Sequence, residues 1–148
     1  FNSLAHRTTW LRSDFSNMTF DFMLSNPPYG KTWKNDEDKL GGKGDILDPR
    51  FVINFDGNPE FKMLPKVSDG QLLFLLNNIS KMKPHGSRIV EVHNGLSIFT
   101  GDAGSGESNA RRYMIESDLV EAIIALPENI FYNTGIGTFI WVLSNNKE

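Results

Sequence analysis

Hydrophobic positions fall into short apolar runs separated by turn-rich stretches, and one longer segment keeps a helical period. Phe20-Asp21-Phe22-Met23-Leu24 is a brief, mostly apolar run that halts at Asn26-Pro27-Pro28-Tyr29-Gly30. Its length and aromatic content predict a buried strand ending in a rigid turn. Ser68-Asp69-Gly70-Gln71 opens the clearest helix, with Ser68 as cap and Gln71 three residues on, the spacing of a capping box. Leu72, Leu73, Leu75, Leu76, Ile79 and Met82 then share one broad face, until Pro84 and Gly86 end the segment.

Arg88-Ile89-Val90-Glu91-Val92 predicts a β-branched strand, followed by the glycine-rich loop Gly101-Asp102-Ala103-Gly104-Ser105-Gly106. Glu107 to Ser117 reads as a second helix, with Tyr113, Met114 and Ile115 supplying apolar bulk. Leu119 to Leu126 is a further buried-strand candidate closed by Pro127; past Gly135 and Gly137, Thr138 to Leu143 is the last. The remaining stretches are less regular. Phe1 to Asn17 reads as loop, and Lys31 to Asp45, charged and carrying Gly41, Gly42 and Gly44, as an exposed, mobile loop. Arg50 to Phe55 alternates weakly before Asp56-Gly57, the pattern of a small hairpin. The order strand, helix, strand, helix, strand, strand implies an α/β fold with helices covering a mostly parallel sheet. The last two strands, joined without an evident helix, should run antiparallel.

Composition narrows the field. At 148 residues the chain suits one domain or a piece of a larger one, and 39% hydrophobic with 22% charged residues is ordinary for a soluble globular protein. With no cysteine there is no disulfide framework, thiol nucleophile or cysteine-ligated metal, and His6, His85 and His93 lie too far apart for an obvious metal site. The aliphatic and aromatic run Leu72 to Leu76 is far too short to span a bilayer, and the amino end lacks a signal-peptide pattern. A cytoplasmic protein without membrane association is the expectation. A net charge of −3 argues against an autonomous DNA-binding module, which is normally strongly basic.

The chemistry concentrates at Asn26-Pro27-Pro28-Tyr29, directly after a predicted strand, where ligands sit in open α/β sheets. Two successive residues precede a proline, which drives both into extended geometry. Pro27 has no N–H and presents only its carbonyl acceptor, with the Asn26 side-chain oxygen as a second. Two acceptors held close suit the gripping of both hydrogens of one amino group, and Tyr29 adds a flat face for stacking a base. An adenine amino group is a poor nucleophile because its lone pair is delocalised into the ring. Two well-aimed hydrogen bonds favour a more tetrahedral nitrogen and point the lone pair at an electrophilic methyl. Inside a duplex such a base would first have to be flipped out. The plainer alternative is an ordinary turn; a match to Asn/Asp/Ser-Pro-Pro-aromatic in a chain of this length arises by chance roughly once in two hundred.

The segment Phe20 to Gly30 resembles the catalytic motif of amino-group methyltransferases that use S-adenosylmethionine. Four downstream blocks are similar to the modification (M) subunits of type I restriction–modification systems: Ser68-Asp69-Gly70 into Leu72 to Leu76, Phe99 to Ser108, Glu121 to Pro127, and Phe131-Tyr132-Asn133-Thr134-Gly135-Ile136 into Trp141-Val142-Leu143. The likeness covers most of residues 20 to 145 and weakens at Phe51 to Leu64, which looks like an insertion. It implies a partial Rossmann-like methyltransferase fold whose strands are the fourth to seventh of a seven-stranded sheet, the seventh antiparallel. It also implies adenine-specific DNA methylation, with Asn26, Pro27 and Tyr29 as catalytic residues and Pro28, Gly30 and Phe131 against the substrate. The partners it implies are DNA, a specificity subunit and a restriction subunit. The family's glycine-rich cofactor loop and its acidic partner precede the catalytic motif and have no counterpart before Phe20, so residues 1–148 resemble the C-terminal half of a catalytic domain.

Other features divide more evenly. Lys31 and Lys34 flank the turn and Arg111-Arg112 follow the glycine-rich loop; all four are candidates for DNA phosphate, and all four also fit solvated surfaces. The glycine-rich loop is either a phosphate cradle or a strand-to-helix connection, and it lacks the Lys-Ser/Thr of a nucleotide-binding loop. A structural role is expected for His93. Two other functions remain open: methylation of protein glutamine or RNA on the same turn, and a non-catalytic assembly module.

Overall fold

The computed structural model describes residues 17–39, 48–55, 58–131 and 135–147. The expectations for residues 1–16, Gly41, Gly42, Gly44, Asp56, Gly57 and Tyr132 lie outside that range. Along the described chain run β1 (Phe22–Ser25), α1 (Lys34–Lys39), β2 (Val52–Phe55), β3 (Asn58–Lys62), α2 (Gln71–Ile79), β4 (Arg88–Asn94), α3 (Leu96–Phe99), α4 (Gly106–Glu116), β5 (Val120–Ala125) and β6 (Thr138–Ser144). β1, β4, β6 and β5 form one sheet in that order. β1 is parallel to β4, while β6 is antiparallel to both β4 and β5. Three strands therefore share a direction and β6 alone is reversed, the α/β arrangement that the alternation of elements predicts.

The connections β1–α2–β4 and β4–α4–β5 step across the sheet in the same direction. Right-handed crossovers then lay both helices on one face. The register gives that face rows of Met23, Ile89 and Leu143 and of Ser25, Glu91 and Trp141. Leu72, Leu73, Leu75 and Leu76 of α2 and Ala110 and Met114 of α4 join Ile89, Trp141 and Leu143 in one buried core. Successive strand residues point to opposite faces. The middle of the other face therefore carries Leu24, Val90, Val92, Val142, Ile140, Ala122 and Ile124, all apolar, with Phe22 beside Arg88 and Ser144 in one end row and Asn94 beside Thr138 in the other. Phe22 is 75% exposed, Leu24 81% and Ile124 48%.

Several expectations change accordingly. β1 and β5 form as predicted but are edge strands, largely exposed instead of buried, because among the described residues each has one neighbouring strand and one uncovered face. The segment after the Asn26–Gly30 turn is not simply an exposed loop: Trp33 is buried, its indole N–H donates to the Lys66 carbonyl (3.1 Å), and α1 follows. The hairpin β2–β3 forms, and the supposed insertion around it contributes Phe51, Met63 and Leu64 to the core. The capping box does not form: α2 starts at Gln71 behind Gly70, which has no side chain with which to cap. No helix among the described residues is long and apolar enough to cross a membrane.

Candidate active site

Asn26 follows the last residue of β1, at the carboxyl end of the parallel pair β1–β4. Its side chain is exposed and makes no hydrogen bond among the described residues. Pro27 is buried, Pro28 exposed and Tyr29 half-buried. Gly30 turns the chain with φ +67°, a left-handed conformation that costs glycine little. The rigid Pro-Pro segment thus leaves the polar atoms of residues 26 and 27 at the sheet edge with their backbone stiffened.

Two polar assemblies bracket this turn. At its start, Ser25 Oγ donates to Glu91 Oε2, and Asn78 Nδ2 donates to the same oxygen (2.7 Å) and to Ser25 Oγ (3.2 Å). Glu91 and His93 are fully buried, with Glu91 Oε1 2.7 Å from His93 Nε2. A hydrogen on Nε2 serves that contact and leaves Nδ1 as an acceptor without a partner among the described residues. At the end of the turn, the Gly30 N–H donates to Asp69 Oδ1 (3.2 Å). Gln71 Nε2 donates to Asp69 Oδ2 (2.5 Å) and Asn94 Oδ1 (2.6 Å), while the Asn94 N–H returns to Gln71 Oε1 (3.1 Å). The Gly70 N–H also reaches the Lys31 carbonyl (3.2 Å). These partners escaped sequence reasoning. The available signals were two ionisable residues inside a β-branched strand and a glutamine opening an apolar helix.

The remaining candidates are dispersed. Phe131 is half-buried, in the connection between β5 and β6. Lys31 is exposed, and Lys34 pairs with Asp38 (2.9 Å) and Glu37 (3.5 Å). The hydrogen bond and charge of Asp38, with help from Glu37, raise the Lys34 ammonium above its usual value. Arg111 donates to the carbonyls of Ser97 (3.1 Å) and Gly101 (3.4 Å), and its partial burial lowers its pKa. Arg112 pairs with Glu116 (2.9 Å) and lies over the Phe61 ring, 4.7 Å from its centroid. Two features of the glycine-rich loop are those of a packed connection. A Cβ on Gly106 would collide with the Leu64 carbonyl, and buried Glu107 places a carboxylate in the first turn of α4, accepting from the Lys66 N–H (2.7 Å). That carboxylate disfavours an anion there.

A cavity of about 240 Å³ lies beside Asp69 and Gln71, lined also by Ser97, Thr100 and Glu107. Pockets enclosing a drug-sized ligand run from about 300 Å³ upward. The described residues at the turn supply acceptors for an amino group, with this cavity beside them. A larger concavity, about 640 Å³, lies at the other end of the sheet around Arg88, Glu121 and Lys147, away from the turn. No cluster of three or more metal-ligating side chains occurs among the described residues.

Residues 2–148 match the family model described as N-6 DNA Methylase. The type I restriction enzyme MjaIX methylase subunit of Methanocaldococcus jannaschii is 30% identical over 133 residues, 90% of this chain and 22% of that protein. The HindI methylase subunit of Haemophilus influenzae is 32% identical over 130 residues, 86% of this chain and 25% of its own length. Among solved structures, a type I restriction–modification methyltransferase subunit from Streptococcus thermophilus superimposes with a TM-score of 0.72 at 27% identity, over 95% of this chain and 27% of that one. The EcoKI M protein shares the fold, with a TM-score of 0.53 at 21% identity over 86% of this chain and 21% of that one. The chain spans about a fifth to a quarter of the length of these curated relatives.

Proposed function

Because the chain belongs to the N-6 DNA methylase family, we propose that it carries the amino-group-binding part of a methyltransferase that modifies the N6 nitrogen of adenine in DNA. The observation that carries this reading is the exposed amide of Asn26 beside buried Pro27, at the carboxyl end of a parallel strand pair. Asn26 Oδ1 and the Pro27 carbonyl accept the two amino hydrogens, and Tyr29 stacks on the flipped ring. Pro28, Gly30 and Phe131 shape the space around it. Holding both hydrogens directs the nitrogen lone pair outward, and no side chain need remove a proton before attack. S-adenosylmethionine, when bound, supplies the electrophilic methyl group.

The bare apolar sheet face and the open edge of β1 support a second element of the proposal: residues 1–148 are the carboxyl half of a catalytic domain, completed by further polypeptide. Lys31 and Lys34, beside the turn, contact DNA phosphates. Arg112 is a more distant candidate, and Arg111 braces its loop through carbonyls. The proposed partners are DNA and, as the resemblance to type I modification subunits implies, a specificity subunit and a restriction subunit.

The test is product identity. The intact subunit, assembled with its specificity partner, is given DNA and methyl-labelled S-adenosylmethionine, and the DNA is digested to nucleosides. Label in N6-methyladenine is expected. Label in protein glutamine or RNA, or no transfer, would contradict the proposal.

A further inference from the structure

Glu91 is a costly residue for its position. It is fully buried in the middle of the sheet, flanked along its strand by Val90 and Val92, and its cross-strand neighbours are Ser25 and buried Trp141. A carboxylate there needs hydrogen bonds to offset desolvation, whereas an apolar side chain of similar size would pack without them. Stability of the sheet therefore gives no reason for Glu91. Its contacts do: one oxygen receives both Ser25 and Asn78, and the other meets His93.

Ser25 is the last residue of β1, and Asn26 is the next. β1 has four residues and, among the described residues, a single neighbouring strand, so backbone pairing alone leaves its end prone to fraying. The oxygen shared by Ser25 and Asn78 ties that end to both β4 and α2. A binding constellation must be held to within about 0.5 Å to work well, and neighbours of the reacting groups set that precision.

We propose that Glu91 is a positioning residue for methyl transfer: through Ser25, with Asn78 as brace, it fixes the strand end that presents Asn26 and Pro27 to the amino group. This rests on the reading of the turn given above.

The intact methyltransferase, with DNA and S-adenosylmethionine saturating, provides the test through Ser25→Ala, Glu91→Gln, the double variant and Ser25→Thr. Ser25→Ala and Glu91→Gln should each lower kcat about tenfold to a hundredfold, the size of loss expected from misplacing a reacting group. The KM for S-adenosylmethionine should stay within about twofold, because no cofactor contact is touched. The double variant should be no slower than the slower single, since the two groups act as one unit. Ser25→Thr, which keeps the hydroxyl, should recover most of the rate. Unaltered kcat in Ser25→Ala, or a loss that only follows the folded fraction, overturns the proposal. If Glu91→Gln fails to fold, Ser25→Ala, which deletes a single oxygen, decides alone. Asn26→Ala in the same assay separates the two levels. Full activity there overturns the reading of the turn, while a crippled Asn26→Ala beside an unaffected Ser25→Ala overturns the positioning role alone.

Discussion

The four-stranded sheet presents two faces made from alternate residues of the same strands, and they differ in chemistry as well as in cover. The packed face mixes Ile89 and Leu143 with Ser25, Glu91, His93 and Trp141, and the polar members lie toward the Asn26–Gly30 turn. The bare face holds a grid of aliphatic side chains across its middle rows, with polar residues (Arg88 and Ser144, Asn94 and Thr138) only in its end rows. Polar groups are invested where a site has to be held, and apolar ones where a large surface awaits burial. An exposed apolar patch beside an unpaired strand edge is an interaction surface by its physics. Under the proposed function the two faces divide the tasks: the packed face supports the chemistry, and the bare face meets the rest of the domain.

The largest effect that would sharpen the contrast is on stability. Leu73→Ala, at a fully buried position, should cost about 2–5 kcal/mol in urea unfolding. Leu24→Ser on the bare face should change the 148-residue chain by about 0.5 kcal/mol or less, as surface substitutions do. In the intact subunit the same change should cost about 2 kcal/mol or more, the range of a buried leucine. Equal, small effects in both settings would break the comparison. A smaller effect concerns DNA. Changing both Lys31 and Lys34 to Gln should flatten the slope of log affinity against log salt by roughly one to two units, while Arg111→Gln leaves the slope unchanged and lowers stability.

The smallest effect is a pH dependence at the brace of α2. Burial would raise the Asp48 pKa, but the hydrogen bonds and charge of Arg50 outweigh it and hold the carboxyl below its ordinary 3.8. Arg50 in turn donates to Asn77 on α2 (2.9 Å). A depressed folded-state pKa contributes stability above the ordinary value and loses it as pH falls through the lowered one. Asp48→Asn should therefore be less stable than the parent at neutral pH, with the gap closing in strong acid. A gap independent of pH would remove the Asp48–Arg50 pair from the account.

Much of this was legible in the chain. α2, β4, α4 and β6 carry their own periodicity, and the reversed direction of β6 follows from a connection without an evident helix. The turn at Asn26 was marked by two prolines directly after an apolar run. What stayed hidden depends on distant partners. Phe22, Leu24 and Ile124 look like core residues in any local window, and only the one-sided crossovers leave them bare. Trp33 looked like part of a charged loop until its indole reached the Lys66 carbonyl. Gln71 looked like half of a capping box, yet its side chain serves Asp69 and Asn94. In each case the residue type was informative, but its partner lay tens of residues away or on a neighbouring element.

The single-turnover rate of methyl transfer by intact Asn26→Ala, with DNA and S-adenosylmethionine affinities measured alongside, tests the central claim most directly. Losing one preorganised acceptor should slow transfer about a hundredfold or more while both affinities change little. A rate within a few-fold of the parent enzyme would mean that residue 26 does not hold the amino group.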